Sequence, residues 1–186
     1  MTFDLADRDG LPDALRALVE AFPRDGWEAH ANYSHLIAFW LDRHLMFRRL
    51  MEVLLTDAED ALDRRTDPVR YKARVSRFGG MLVDQLHGHH QIEDAHYFPV
   101  MAGLDAGVAR GVEILDADHH ALDAVLAELT DRANAVLTAE EADHRDQTAR
   151  LRKVLLTFDP LLDRHLVDEE ELVVPVLLKY APEQFR

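Results

Sequence analysis

A chain of 186 residues that is 48% apolar and 30% charged can bury one substantial core and is too apolar for disorder. Lys and Arg total 21 against 35 Asp and Glu, and a net charge of -14 repels phosphate backbones and anionic membrane surfaces, so neither nucleic acid nor a membrane is an expected partner. There is no cysteine, which excludes disulfides, thiolate zinc sites and iron–sulfur clusters and leaves eleven histidines and the acids to hold any metal.

The opening stretch, Met1 to Gly10, is acidic and has neither the basic region nor the apolar run of a signal peptide, so a cytoplasmic location is expected. Pro12 to Phe22 reads as a short leader helix, closed by Pro23 and the turn-forming Arg24-Asp25-Gly26. A long helix is predicted from Trp27 to Arg64, with the stripe Ile37, Leu41, His44, Phe47, Met51, Leu54 in steps of three or four. Its histidine stands in the stripe. The next helix has Thr66 or Asp67 as N-cap and Pro68 at its first position, and runs through Phe78, Leu82, Leu86, His89 and Glu93 to near Met101.

A third helix is predicted from Val108 to Ala133, carrying Val112, Leu115, His119, Leu122, Leu126 and Leu129. The fourth opens with the capping box Thr138-Ala-Glu-Glu141 and carries Leu155, Leu162, His165, Glu169, Val173 and Val176 on one face. Pro99 and Pro175 each remove a helix hydrogen bond and should bend or end their helices just past the glutamates. Phe39, Trp40, Phe47 and Phe78 are assigned to the core. The links Ala102 to Gly107 and Arg132 to Leu137 are short, which makes sequential helices antiparallel neighbours. The predicted fold is all-α: an up-down-up-down four-helix bundle over residues 27–181, with residues 1–26 as leader across one end.

The two halves of the chain repeat. His44 and His119 are 75 residues apart, while His89 and His165, Glu93 and Glu169, and Pro99 and Pro175 are each 76 apart. Each half supplies one stripe histidine and then a His-x-x-x-Glu, whose members lie one turn apart on one helix face. One such motif is expected by chance in this composition, and a lone core histidine more often bonds a backbone carbonyl than a metal. Four stripe histidines in repeated register with two glutamates favour a metal. Without a cation, burying those carboxylates would cost several kcal/mol per ionised group. Asp123 and Glu170 read equally well as solvated positions or as members of the site. His90 and His120 read as orienting or surface residues, His96 as structural or lining a channel, and His30, His35, His87 and His144 as ordinary.

The segments His89 to Val100 (HHQIEDAHYFPV) and His165 to Val176 (HLVDEEELVVPV) resemble the signature of hemerythrin-like HHE domains, a likeness that extends over residues 30–178. The resemblance implies two non-haem iron ions, with His44 and His89 on one, His119 and His165 on the other, and Glu93 and Glu169 bridging. Two departures separate the chain from the oxygen carriers. Asp123 stands where they have a second histidine on the third helix, and Glu169 and Glu170 stand four and five residues after His165 where carriers use the five-residue spacing. Imidazole and carboxylate donors suit iron, manganese or zinc, and bridging carboxylates favour iron or manganese.

The function implied is binding of, or reaction with, a small diatomic or peroxide ligand (oxygen, nitric oxide or peroxide), in sensing or stress response. A di-iron oxidase or peroxide-removing enzyme is the alternative, and a bundle with a vestigial site is a third. A ferritin-like plan needs Glu-x-x-His projecting inward from two helices, whereas Glu141-Ala-Asp-His144 stands only at the start of the fourth, and a His-Glu-x-x-His metalloprotease motif is absent.

Overall fold

The computed structural model describes residues 4–104 and 106–185, and all regular structure among them is helical. The short α1 spans Asp13–Ala21 and is followed by a 3₁₀ turn at Arg24–Gly26. Then come α2 (His35–Leu62), α3 (Pro68–Arg74), α4 (Gly80–Ile92), α5 (Phe98–Ala102), α6 (Ala106–Thr138) and α7 (His144–Tyr180). Among the described residues no helix is long and apolar enough to cross a membrane.

Several helix ends follow local chemistry that periodicity does not register. α2 begins at His35 rather than Trp27. The Trp27 indole is committed to a turn, donating to the Phe22 carbonyl at 2.8 Å, and Ser34 serves as the cap, its Oγ accepting from Ile37 N–H at 3.4 Å. The capping box at Thr138 does not form. Thr138 Oγ1 donates back to the Asn134 carbonyl at 2.9 Å, so α6 runs through the expected link at 132–137 and α7 starts only at His144. Of the other expected link, Asp105 lies outside the described residues.

Asp67 caps α3 as predicted, accepting from Val69 N–H and Arg70 N–H at 3.0 Å each, with Pro68 in the first turn. From there the run to Ala102 is nearly continuous but passes through two π-helical turns, Val75–Gly79 and Glu93–Tyr97. The second ends just before Pro99, so the wider turn absorbs the hydrogen bond that proline cannot make. Pro175 neither ends nor breaks α7. Its neighbours Leu172, Val173, Val174, Val176 and Leu177 are all buried, and that packing carries the helix on to Tyr180.

The chain divides into two compact units, each assembled from separate stretches. The first takes in the described residues of 1–45, 91–119 and 163–186, with a core around Leu11, Trp27, Trp40, Phe98, Leu115 and Val173. The second comprises 46–90 and 120–162, with Phe47, Met51, Tyr71, Leu82, Leu129 and Phe158 buried. Two of the aromatics assigned to the core are not fully in it. Phe39 is 62% exposed, about 100° round α2 from the buried Trp40, and Phe78 is half-buried beneath the guanidinium groups of Arg74 and Arg77. Because Asp67 satisfies two otherwise unpartnered helix-end N–H groups, Asp67→Ala should cost about 1 kcal/mol, read as a lowered denaturation midpoint with unchanged helicity.

Candidate metal centre

Five of the six predicted ligands lie in the first unit, on four separate segments. His44 stands on α2, Glu93 opens a π-helical turn, His119 is on α6, and His165 and Glu169 are one turn apart on α7. Each is at most 1% exposed. Ligand atoms of His44, Glu93 and Glu169 lie within 4.8 Å of one another, as do those of His119 and His165. His44 Nε2 is 3.4 Å and His165 Nε2 is 3.5 Å from the same oxygen, Glu169 Oε2, and His119 Nε2 is 3.6 Å from Glu93 Oε2. Trp40 Nε1 donates to the other Glu169 oxygen at 2.5 Å, fixing the carboxylate's rotation.

The opposite ring nitrogens all meet carboxylates. His44 Nδ1 lies 3.1 Å from Glu170 Oε1, His119 Nδ1 lies 2.8 Å from Asp94 Oδ1, and His165 Nδ1 lies 3.3 Å from Asp118 Oδ2. A carboxylate can only accept, so each neutral imidazole carries its proton on Nδ1 and turns the Nε2 lone pair towards the glutamates. This is the tautomer a metal-binding histidine needs, set by the carboxylate–histidine arrangement that commonly backs such ligands. The donor set also fits a cation in spacing. Two ligand atoms each about 2.1 Å from one metal stand roughly 3.0–3.5 Å apart, close to the imidazole–carboxylate separations here.

A protein-family model described as the hemerythrin HHE cation binding domain matches residues 35–177. The chain belongs to the hemerythrin HHE cation-binding family. No curated protein and no solved structure matches it. The cation-binding character of the family and the buried His/Glu cluster point to the same chemistry, metal binding of the kind for which iron is typical.

The sixth predicted ligand, His89, belongs to the second unit, where its ring stands 5.3 Å from that of Phe47. It is half-buried, whereas His90, expected at the surface or as an orienting residue, is 3% exposed. Steps of three and of four from the buried Leu86 lead to the one and the other, so helical period alone does not separate them. Asp123 is exposed and faces His87 Nδ1 at 3.8 Å, a solvated pair. Glu170, in contrast, is 4% exposed and holds His44. His96 is exposed on its π-helical turn, His30 packs edge-on against Phe22, and His144 against Tyr71.

Sequence reasoning missed Asp94 and Asp118 and left Glu170 open between a solvated position and a member of the site. Asp94 and Glu170 sit directly after Glu93 and Glu169, 76 residues apart, and each takes the Nδ1 of the stripe histidine from the other half of the repeat. The Glu-Asp and Glu-Glu dipeptides were the signal. Asp118 has no such echo, because the position 75 residues earlier is Arg43.

Without a cation the buried His/Glu cluster is electrostatically strained. Burial, and then the neighbouring Glu169, push the Glu93 carboxyl well above its ordinary range and favour its protonated form. Burial likewise lowers His165 and keeps it neutral. A raised carboxyl pKa favours the fold below the unfolded value and costs stability as pH rises from there towards the folded value. In metal-free protein, stability should therefore decline with rising pH above the ordinary carboxylate range. Glu93→Gln should flatten that decline and raise the metal-free melting midpoint at neutral pH by roughly 2–4 °C per kcal/mol recovered, as scanning calorimetry would show.

Proposed function

We propose that this protein holds two non-haem metal ions, preferentially iron, and binds or reacts with oxygen, nitric oxide or peroxide in the cytoplasm, in a sensing or stress-response role. The observation that carries the reading is the common posture of His44, His119 and His165, each with Nδ1 on a carboxylate and Nε2 3.4–3.6 Å from Glu93 or Glu169. In this reading His44 and His89 serve one ion, His119 and His165 the other, and Glu93 and Glu169 are shared. His89 stands one helical turn before Glu93, and the internal repeat pairs it with His165.

The proposed frame is an antiparallel up-down-up-down bundle over residues 27–181 with residues 1–26 as its leader, which brings the two repeats together about one centre. Bound iron would supply an open coordination position and a change of oxidation state. The protein's own groups supply the rest: Trp40 fixes Glu169, the outer carboxylates fix the imidazole tautomers, and the buried Phe98 ring stacked on His119 keeps water from that imidazole.

Metal analysis of the purified protein, with visible spectra recorded under argon, air, nitric oxide and peroxide, tests this directly. Two metal equivalents and a spectrum that responds to at least one of these ligands are expected; a metal-free protein, or a spectrum indifferent to all of them, would sink the reading. Glu169→Gln should lose most of one metal equivalent, because both His44 and His165 face its Oε2, while Glu170→Gln keeps an acceptor for His44 Nδ1 and should retain both. Equal losses would make Glu170 the shared ligand instead.

A further inference from the structure

We infer that Arg8 and Arg24, both outside the matched span 35–177, are positioning residues of the metal centre: each clamps the carboxylate that orients one inward-facing imidazole, Asp118 for His165 and Glu170 for His44. The inference rests on the proposed metal centre.

Arg8 is built into the protein. Its side chain is 6% exposed, and both terminal nitrogens engage Asp118, Nη1 reaching Oδ1 at 2.7 Å and Nη2 reaching Oδ2. Its Nε donates to Asp168 Oδ2 at 2.8 Å. One planar guanidinium thus bridges two carboxylates that are 2% and 0% exposed, a fork that a lysine ammonium cannot reproduce.

The segment around Arg8 is docked rather than trailing. Leu5 and Leu11 are 4% and 3% exposed, and the Asp9 carbonyl accepts from Arg164 Nη1 at 3.2 Å. Gly10, at φ 144°, takes a backbone conformation that strains any L side chain, which lets the chain turn beside Arg164 and Asp168.

Arg24 makes the weaker clamp. Its Nη1 lies 2.6 Å from Glu170 Oε2, and its guanidinium covers the Trp27 ring at 4.7 Å, but its side chain is 48% exposed and water can take its place. Without Arg8, Asp118 loses its bidentate partner and can rotate away from His165 Nδ1, and the ring is then free to turn its Nε2 from Glu169. Loss of an outer partner of this kind typically weakens metal binding about 10–100-fold.

The test uses the full chain loaded with Co(II), whose visible bands report ligand geometry, and follows release of the ion to a chelator. Arg8→Gln should release Co(II) about 10–100-fold faster with altered bands, Arg24→Gln should show a smaller change, and Arg16→Gln, an exposed charge-matched control on α1, none. Asp118→Asn should reproduce the altered bands, and adding Arg8→Gln to it should change them little further. Unchanged bands and release in Arg8→Gln, with wild type binding Co(II), would overturn the positioning role and leave the metal centre standing. Failure of wild type to bind would overturn both. Should Arg8→Gln not fold, Arg8→Lys decides: it keeps the charge but loses the fork, so wild-type bands and release would refute the inference.

Discussion

Glu93 and Glu169 lie side by side at 1% and 0% exposure, and two carboxylates in such a place cannot both stay ionised without a positive partner. Much of the first unit answers to that constraint. Three imidazoles turn their unprotonated nitrogens towards the pair, an indole ties one oxygen, and aromatic and aliphatic side chains close the surroundings. In the metal-free protein protonation of Glu93 relieves the repulsion. With metal, the cations do so, and binding energy becomes folding energy because the unfolded chain has no such cluster.

Charge alternates outward from that pair. Glutamates face imidazoles, imidazoles face Asp94, Asp118 and Glu170, and arginines face Asp118, Asp168 and Glu170. The alternation lets a chain of net charge -14 bury several acids close together, since Asp118, Asp168, Glu169 and Glu170 each meet a donor at hydrogen-bond distance. It also gives the N-terminal stretch a part in the chemistry. The halves of the repeat agree where Asp94 and Glu170 hold each other's stripe histidines. They differ where Trp40 has Leu115 as its counterpart and Asp118 has Arg43.

The π-helical turn at Glu93–Tyr97 connects backbone to site. An extra residue in the turn re-aims the side chains that follow, and here it falls between a predicted ligand and Pro99, where an ordinary helix would lack a donor. Wide turns of this kind are frequent at functional sites, and in this protein the proline supplies the local cause.

His44, Glu93, His119, His165 and Glu169 were legible as buried because burial on one helix face is a matter of period three to four, and the repeat singled them out among eleven histidines. The cap at Asp67 was legible too, since it reaches only two and three residues ahead. What periodicity could not carry was anything decided across space. His89 and His90 fit the stripe equally, and packing left the second the more buried. Glu170 looked as much like a solvated helix position as a site residue until His44 and Arg24, 126 and 146 residues away, were found beside it. Arg8 lies 110 and 160 residues from the carboxylates it bridges, and no local pattern can register a partner at that distance. The chain alone specifies which faces turn inward, because that is a property of neighbours along a helix; which acid meets which imidazole depends on how the helices pack, and that exists only once the chain has folded.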